Sequence, residues 1–578
     1  MITSLRIPQE PFLLRLFQLW QKAPEATLIR DRTDDGKDFT ISHFLYDVLT
    51  VQLSLYKALD NDCKNRLRNP DADVFVGVLA RGGYSFSVLL FAIYALGAVA
   101  VPLSPDLHPE EAKYYMEVCN TTLLATVPAA TAKATVLSDI SGIKTFVFDA
   151  TQSTISDQPK FHLDTQSPLI EPEKGYLVLY TSGSTGPPKG VLHSRRAAWE
   201  GFRADIKGLG LSARDMFIHF SPVQWMGGCM LLHACILSGA CIEMRSTTFT
   251  TDWLLARIQE GDITSMYLPP EQLSVLRDRI NAGQTEGSHS TYEVTLRAIR
   301  DLRLLISGSM LVSPSLRDDW KIIRNGKPIT VAYGTTETVA LISVTNDEES
   351  PLDSCGRCLD RVCVRVDSSG EICVKTPALF TRYISPNPDV MDGVFDSEGY
   401  FRTGDLGKIE NGNIYIFGRA SQDAIRSNGL KFYAPEIEAE LCTHPLISQA
   451  IVLGVPDPLI GERVAALVVT TEHAQLLQDR HGTDGSLDEI SRTNLNLFGI
   501  RKWLAIDREL RAFKLPTMLR VVGPAYELPK TISNKPVKSK IRKLIFNNKV
   551  DSSNGEVEVW DFTTKESNGI GDRPFDWP

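Results

Sequence analysis

The stretch YLVLYTSGSTGPPKG, residues 176–190, decides the fold, because a short apolar run leads directly into a loop of small polar residues. Residues 176–180 have the pattern of a buried strand. Residues 181–190 hold only Gly, Ser, Thr, Pro and a single lysine, Lys189, and the apolar VLH and a helix-like segment follow them. Glycines let backbone N–H groups turn inward, hydroxyls add donors, and the lysine adds a point charge. The loop is therefore predicted to bind phosphate.

Three other interpretations agree less well with the residues. A Walker A loop needs Gly directly before its lysine and Ser or Thr after it, whereas Pro188 and Gly190 flank Lys189. The sequence GLGLSA at 208–213 has the spacing of a dinucleotide fingerprint, but it follows a helix-like segment where that fingerprint needs a strand. A plain surface loop is disfavoured, because residues 181–190 lie between a buried strand and a helix.

Similar apolar runs lie on both sides of this loop and alternate with helix-like stretches such as TDWLLARIQEG. The runs are 74–80, 98–103, 122–130, 144–150, 241–246, 264–270, 302–309 and 328–334. This alternation predicts an α/β fold with a large N-terminal domain of doubly wound sheets. Farther on, the turn signals DSSG (367–370) and NG (411–412) predict hairpins and hence a β-rich subdomain.

A smaller α+β unit follows the hairpins. We predict domains at 1–418 and 419–546, and a flexible tail at 547–578, which is mostly polar with few aliphatic residues. Residues 472–500 are also polar and are predicted to be an insertion.

The composition excludes several classes of protein. The chain has 578 residues, 61 Lys and Arg against 70 Asp and Glu, and 43% hydrophobic residues. These values are typical of a globular protein and leave no surplus of basic residues for nucleic acid. The uncharged stretch 86–103 is long enough to cross a membrane, but Gly97 divides it, so we predict a helix followed by a strand and no membrane span.

The sequence also bears on the compartment. The N-terminus lacks the features of a signal peptide. Among the ten cysteines, Cys355 and Cys358 form one C-x-x-C pair, without the second pair that a zinc ribbon needs. Reduced thiols and a cytoplasmic location are therefore expected.

Further polar motifs follow in order along the chain. Tyr333-Gly-Thr-Thr-Glu337 comes after the strand-like 328–332 and places an aromatic ring, a turn glycine, two hydroxyls and a carboxylate where an open α/β sheet binds nucleotides. Taken alone, this segment could also be a helix start capped by Thr. FRTGD (401–405), Gly418-Arg419 and the basic run 534–543 follow.

With these motifs in this order, the chain resembles the adenylate-forming superfamily of acyl- and aryl-CoA ligases, luciferases and adenylation domains of peptide synthetases. The resemblance extends over about residues 25–545, and loop 181–190 is its most specific match. It implies an AMP-binding N-terminal domain, a mobile C-terminal domain and an acid–thiol ligase that uses ATP, Mg²⁺ and CoA as co-substrate.

The resemblance also implies roles for individual residues. Tyr333 would stack on adenine, Thr336 would bond the α-phosphate, and Glu337 would help to hold Mg²⁺ with Thr181. The complete set of predicted nucleotide- and cofactor-binding residues is Thr181, Ser182, Gly183, Ser184, Thr185, Gly186, Lys189, Ser309, Ala332, Tyr333, Gly334, Thr335, Asp405, Arg419 and Gly429.

Among these, Asp405 and Arg419 would hold the ribose, and Gly429 would lie in the loop that serves thioester formation. Lys535 would be the catalytic lysine, although Asn534 precedes it where relatives usually have glycine. Many relatives have a charged hinge residue at the position of Ser421. This departure leaves the pivot open, with Asp423 as the candidate.

The implied chemistry begins with attack of a substrate carboxylate on the α-phosphate of ATP. A carboxylate is already ionised at neutral pH, so no general base is required. Lys535, Mg²⁺ and inward N–H groups would neutralise the gathering negative charge. A thiol would then attack the acyl carbonyl and release AMP, after the C-terminal domain has rotated.

The predicted wall of the acid pocket includes Trp225, Met226, Gly227 and Gly308. Basic residues for a second carboxylate, or an Asp for an ammonium group, are not evident, so we predict an aliphatic or aromatic monocarboxylic acid. Two alternatives stay open. The enzyme could load the phosphopantetheine thiol of a carrier protein instead of CoA, or the chain could bind adenylate without catalysis. The presence of Lys535 and Glu337 disfavours the latter.

Overall fold

The structure is a computed structural model of the 578-residue chain. It describes residues 4–33, 36–152, 159–181, 187–245, 250–286, 289–345, 350–471, 495–530, 535–547 and 556–560. Within these ranges the chain forms two large sheets, a smaller third sheet and a two-stranded pair of β1 (Ser4–Ile7) with β8 (Lys160–Leu163).

The first large sheet carries the strands on both sides of the predicted phosphate loop. Its strands are β4 (Phe75–Leu79), β5 (Val99–Leu103), β6 (Leu123–Thr126), β7 (Lys144–Val147), β9 (Gly175–Thr181), β10 (Lys189–Ser194) and β20 (Arg382–Ile384). Their order is β20-β10-β9-β5-β4-β6-β7. The strands from β9 to β7 are parallel, whereas β10 runs antiparallel to β9 and β20 runs antiparallel to β10.

The second large sheet has thirteen strands. They are β2 (Thr27–Asp31), β3 (Lys37–Thr40), β11 (Met216–His219), β12 (Cys241–Met244), β13 (Ser265–Tyr267), β14 (Leu304–Gly308), β15 (Thr330–Gly334), β16 (Leu341–Val344), β17 (Arg357–Cys358), β18 (Cys363–Val366), β19 (Glu371–Lys375), β21 (Phe401–Glu410) and β22 (Asn413–Arg419). The neighbours β2, β12, β11, β13, β14 and β15 are parallel, and the strands from β16 to β22 form the antiparallel, β-rich part.

Fifteen α-helices are described. They are α1 (Pro11–Lys22), α2 (Ile41–Ala58), α3 (Asn61–Arg68), α4 (Tyr84–Leu96), α5 (Pro109–Val118), α6 (Thr131–Ser141), α7 (Arg195–Leu209), α8 (Met226–Ser238), α9 (Thr251–Gln259), α10 (Pro270–Glu286), α11 (His289–Asp301), α12 (Pro314–Ile323), α13 (Ala434–Leu441), α14 (Leu497–Lys502) and α15 (Lys538–Leu544). Helices α2, α4, α7 and α8 share one large apolar cluster with strands of both large sheets, so the main core lies between the sheets. The predicted α/β fold class is confirmed.

The uncharged stretch at 86–103 is divided as predicted. Helix α4 ends at Gly97, whose φ of 82° is in the left-handed region that favours glycine, and β5 follows in register with β4. Among the described helices, none combines the length and the apolar character that a membrane crossing needs.

The third sheet belongs to the C-terminal part of the chain. Its strands are β23 (Ala424–Ser427), β24 (Leu430–Tyr433), β25 (Ile447–Asp457), β26 (Gly461–Thr470), β27 (Met518–Val522) and β28 (Glu558–Val559). A separate apolar cluster lies under this sheet and α13, in accord with a second folding unit. Strand β28 lies within the predicted tail and pairs with β27. Most of the predicted insertion lies outside the described residues.

Candidate active site

The phosphate loop joins two antiparallel strands rather than a strand and a helix. Thr181 ends β9, Lys189 begins β10, and the two residues face each other in the ladder. Helix α7 starts at Arg195, capped by the side chain of Ser194. The helix predicted directly after the apolar VLH is therefore confirmed, and VLH itself belongs to β10, whose Gly190, Val191 and Leu192 also pair with β20. Ser182, Gly183, Ser184, Thr185 and Gly186 lie outside the described residues.

Several of the predicted nucleotide-binding residues, Ser309 and 332–335, lie at the carboxyl ends of two strands of the second large sheet. Parallel strands β14 and β15 finish side by side, with Gly308 opposite Ala332. A short 3₁₀ turn after β15, Thr336–Thr338, carries Thr336 and Glu337. The carboxyl ends of parallel strands are the usual location of ligands in open α/β sheets.

Asp405 is the centre of a cluster that we call the ribose corner, made of Tyr333, Asp405, Arg419 and Lys535. Asp405 is 5% exposed, its Oδ2 accepts a hydrogen bond from the Tyr333 hydroxyl at 2.8 Å, and its Oδ1 lies 2.8 Å from Nε of Arg419. Burial raises the pKa of Asp405, while the charge of Arg419 and the Tyr333 bond oppose that rise. Both carboxylate oxygens of Asp405 are therefore held in place by neighbouring side chains.

Lys535 comes to this corner from the C-terminal unit. The residue is exposed to solvent on one side, and the surrounding protein desolvates its ammonium group on the other. Desolvation lowers the pKa of Lys535, and the positive charge of Arg419 lowers it further, whereas the negative charge of Asp405 raises it. Nearby, Lys530 donates to Glu271 of α10 at 3.3 Å, which joins this segment to the large domain. The arrangement brings Lys535 to the same cleft as Asp405.

Glu337, Lys189 and Tyr383 form a second cluster, which we call the metal corner. The Tyr383 hydroxyl donates to Oε1 of Glu337 at 2.7 Å, and Nζ of Lys189 lies 5.1 Å from the centre of the Tyr383 ring. Glu337 also influences Arg419 electrostatically, since it helps to raise the pKa of that guanidinium against the effect of desolvation. The two corners are therefore neighbours in one cleft.

The donor set agrees with a magnesium ion that arrives on a nucleotide. Within the described part of the chain, no three His, Cys, Asp or Glu residues lie together in a group that could hold a metal. Mg²⁺ is commonly held by one or two carboxylates together with phosphates and water, rather than by an all-protein cage. Of the residues predicted to hold the ion, Glu337 would offer such a carboxylate, and Thr181, at the end of β9, would offer a hydroxyl.

The residues predicted to line the acid pocket lie at the start of α8 and at the ends of β14 and β15. Trp225 is the N-cap of α8, and the described atoms leave open space around Gly227, where an added Cβ would have none within 4 Å. The methyl group of Met226 lies 3.3 Å from the position of a Cβ on Gly334. Gly308 is required by packing, because a Cβ there would lie 2.3 Å from the carbonyl oxygen of Ala332.

Ser309 and Thr335 complete the strand ends. Ser309 has a φ of 69°, and its hydroxyl bonds to that of Tyr267 at 2.9 Å. Thr335 is 5% exposed, and its hydroxyl has no hydrogen-bond partner among the described groups.

Gly429 lies apart from the ribose corner. It sits at the turn of the β23–β24 hairpin with a φ of 78°, and that hairpin bonds to β26 of the third sheet. The candidate hinge residue Asp423 accepts from the backbone N–H of Arg419 at 2.8 Å and from Lys538 at 2.5 Å. Lys538 also lies 2.8 Å from Glu438, so Asp423 joins the start of the small domain to the helix that follows Lys535.

Three contacting residues were not predicted from the sequence. Tyr267 and Tyr383 lie outside the polar motifs, and Lys538 lies in the basic run 534–543 without a predicted role. Only the pairing of distant strands and segments brings the three residues to their contacts. Tyr383, for example, is 46 residues from Glu337 along the chain. No spacing rule in the sequence would have found these residues.

Comparison with known proteins decides the family. The family described as "AMP-binding enzyme" matches residues 66–384, more than half of the chain, and the "AMP-binding enzyme C-terminal domain" matches residues 436–535. The chain belongs to the AMP-binding enzyme family. This AMP-binding enzyme is an acid–thiol ligase, as predicted.

Individual relatives agree with this assignment. The AMP-binding enzyme is 28% identical over 553 residues to the acyl-CoA ligase oryP of Aspergillus oryzae, with 93% of each chain covered. It is also 28% identical over 443 residues to the mitochondrial malonate–CoA ligase ACSF3 of Xenopus laevis, covering 70% of this chain and 75% of that protein. The predicted family and enzyme class are confirmed. The predicted CoA agrees with the names of these relatives, and the predicted ATP and Mg²⁺ agree with the solved O-succinylbenzoate coenzyme A synthetase of Bacillus subtilis in complex with ATP and magnesium ion.

A solved structure has the same fold. ATP-bound MatB from Rhodopseudomonas palustris superposes with a TM-score of 0.70 at 20% identity, over 92% of this chain and 98% of that one. The two-domain architecture of the AMP-binding enzyme is therefore shared with a known nucleotide-binding protein.

Proposed function

We propose that this AMP-binding enzyme joins a carboxylic acid to the thiol of CoA in two steps, through an acyl-adenylate. The observation that carries the proposal is the meeting of Lys535 with Asp405 and Arg419 in one cleft. Such a cleft offers a buried acceptor for ribose hydroxyls beside a cation for the phosphate chain. The domain limits are proposed as 1–418 and 419–546, because β22 ends at Arg419 and the third sheet begins at Ala424.

In the first step, a carboxylate oxygen forms a bond to the α-phosphorus of ATP and the bond to pyrophosphate breaks. Asp405 orients the ribose, Tyr333 stacks on the adenine, and Thr336 donates to the α-phosphate. The ammonium of Lys535 neutralises charge that develops between acid and phosphate, as preorganised cations do in phosphoryl transfer. Bound magnesium supplies further neutralisation of the phosphates, with Glu337 as its carboxylate.

In the second step, the thiol sulfur forms a bond to the acyl carbon, and AMP leaves with the electrons of the broken acyl–phosphate bond. The thiol must reach the face that Lys535 occupies in the first step, so we propose a rotation of the small domain about the segment at Asp423. The rotation would separate Lys530 from Glu271 and bring the Gly429 turn to the cleft. Gly429 suits that role because its surroundings within the described residues are open.

We further propose that the acid is an aliphatic or aromatic monocarboxylic acid. The proposal is supported by the methyl group of Met226, which lies beside Gly334, and by the open space at Gly227, which leaves room for an apolar chain. The named activity of the Xenopus laevis relative makes malonate the competing substrate. All ten cysteines are free thiols, which suits a reducing compartment such as the cytoplasm.

The test is a coupled assay of the purified chain. MgATP, hydroxylamine and a panel of acids, including malonate, are supplied first, and acyl-hydroxamate is measured. The assay is then repeated with CoA, and acyl-CoA is sought by mass. Hydroxamate and acyl-CoA with an apolar monocarboxylic acid are expected.

Each other result has a definite meaning. Absence of hydroxamate with every acid would contradict the enzymatic proposal and favour a non-catalytic adenylate-binding protein. Hydroxamate without acyl-CoA would favour transfer to a carrier protein. Preference for malonate would contradict the proposed acid class alone.

A further inference from the structure

Tyr383 touches both charged groups of the metal corner, yet none of the steps above uses it. Strand β20 pairs antiparallel with β10, and Tyr383 stands opposite Val191. This register places it beside the start of β10, where Lys189 lies. The position therefore depends on pairing between strands that are far apart in the sequence.

The hydroxyl of Tyr383 is directed at Glu337. It donates to Oε1 at 2.7 Å, and the backbone N–H of Phe380, in the same segment, donates to the carbonyl oxygen of Glu337 at 2.8 Å. Glu337 is thus held through both its side chain and its backbone.

The ring of Tyr383 faces Lys189. Nζ of Lys189 lies 5.1 Å from the ring centre, within the range at which an aromatic face attracts a cation. The ring is itself held in place, since its centre lies 4.6 Å from that of the Phe380 ring. The backbone N–H of Tyr383 also donates to Sδ of Met391 at 3.4 Å. One rigid side chain therefore contacts the loop lysine and the turn carboxylate.

We propose that Tyr383 is a positioning residue that sets the separation of Lys189 and Glu337, so that the phosphate chain and its metal ion bind together. The inference rests on the proposed function, because it assumes that these two groups receive a metal–nucleotide complex. It assigns two separable tasks to one side chain. The hydroxyl orients the metal carboxylate, and the ring holds the phosphate-binding cation.

Tyr383→Phe removes the first task and keeps the second. Hydrogen bonds to metal-binding carboxylates typically contribute 10- to 100-fold to metal affinity. Because the phosphates would also bind the metal here, we expect metal affinity to fall by about tenfold, at the lower end of this range. The readout is Mn²⁺ binding by electron paramagnetic resonance, in the presence of a non-hydrolysable ATP analogue. Affinity for the analogue without metal should stay unchanged.

Tyr383→Leu removes both tasks. It should weaken binding of the metal-free analogue by about threefold, because the cation loses its aromatic partner. Tyr115→Phe is the matched control, since the Tyr115 hydroxyl also donates to a glutamate, Glu111, at 2.7 Å but lies in α5. The control should bind Mn²⁺ and the analogue like the wild type.

Failure of this inference can be told apart from failure of the proposed function. A wild type that binds Mn²⁺ with the analogue, beside a Tyr383→Phe variant of equal affinity, would overturn the positioning role alone. A wild type that binds neither would overturn the proposed function and this inference with it. Because Tyr383→Phe keeps the ring, its result decides the question even if the Leu variant does not fold.

Discussion

The ribose corner and the metal corner hold their charges in opposite ways. In the ribose corner Asp405 and Arg419 pair at 2.8 Å, so a buried anion is already balanced by a cation. In the metal corner, Lys189 and Glu337 meet the ring and the hydroxyl of Tyr383, and neither is in an ion pair within the described residues. In the proposed function, the first corner would orient neutral hydroxyls, whereas the second would offer a cation to phosphate and an anion to metal.

The largest effect is expected from removal of Lys535, the cation of the ribose corner that is proposed to act in the reaction itself. Lys535→Ala should lower adenylate formation by about 100- to 1000-fold, the usual effect of deleting a group that stabilises transition-state charge. Acid-dependent exchange of pyrophosphate into ATP measures this step. Thioester formation from synthetic acyl-adenylate should be unchanged, because the lysine has left by then.

Lys540→Ala is the matched control, since Lys540 is an exposed lysine of the helix that follows. Equal losses in both variants would indicate a general effect of charge and contradict the special role of Lys535.

A second, smaller effect is expected when the ion pair of Asp405 and Arg419 is disrupted. Asp405→Asn removes the charge that orients the ribose hydroxyls, and hydrogen bonds to charged groups contribute about 1.5–3 kcal/mol, or roughly 10- to 150-fold in the KM for ATP. Asp396→Asn is its control, because Asp396 pairs with Arg365 in the same β-rich region. Thermal unfolding of both variants would separate loss of binding from loss of fold. An unchanged KM for ATP in Asp405→Asn would contradict the proposed role of the ribose corner in ATP binding.

Tyr333→Phe should act more weakly still. It keeps the ring for the adenine but removes the 2.8 Å bond to Asp405, which Arg419 continues to orient. We expect the KM for ATP to rise by about fivefold, with kcat nearly constant, as for the loss of one ordinary hydrogen bond of about 1 kcal/mol. A large fall in kcat at constant KM would show that the hydroxyl acts in the reaction rather than in binding.

The smallest effect near neutral pH concerns the protonation of Lys535. Desolvation and the charge of Arg419 lower its pKa from the ordinary 10.5, and adenylate formation needs the protonated form. As the pH rises through the lowered pKa of Lys535, which is below 10.5, the ammonium loses its proton and activity should fall. The pH profile of kcat/KM for ATP measures this in the free enzyme. Lys535→Arg should move the decline to higher pH, because a guanidinium stays charged.

The sequence predicted the ribose corner better than the metal corner, for a physical reason. Tyr333, Asp405 and Arg419 lie in short motifs that carry the resemblance to adenylate-forming enzymes, and the structure brings them together. Tyr383 acquires its role from the pairing of β20 with β10, and a register between distant strands leaves no local pattern. The link from Asp423 to Lys538 was hidden likewise, because its partners are 115 residues apart. The strand after the phosphate loop was missed because an apolar run of three residues also suits a helix start.

The fold as a whole was predictable because alternating apolar runs and helices leave few solutions. The division of residues 86–103 could be predicted from Gly97 alone. A helix often ends at a residue with positive φ, and this backbone conformation favours glycine. The docking of β28 on β27 was not predictable, because Glu558 and Val559 stand in a polar segment without periodicity.

Transfer of an oxygen isotope tests the central claim most directly. An acid labelled with ¹⁸O in its carboxyl group is converted with ATP and CoA, and the nucleotide and pyrophosphate products are examined by mass. Attack of the carboxylate on the α-phosphorus predicts one ¹⁸O atom in AMP and none in pyrophosphate. Label in pyrophosphate or inorganic phosphate, or acyl-CoA formed beside unlabelled AMP, would contradict the account.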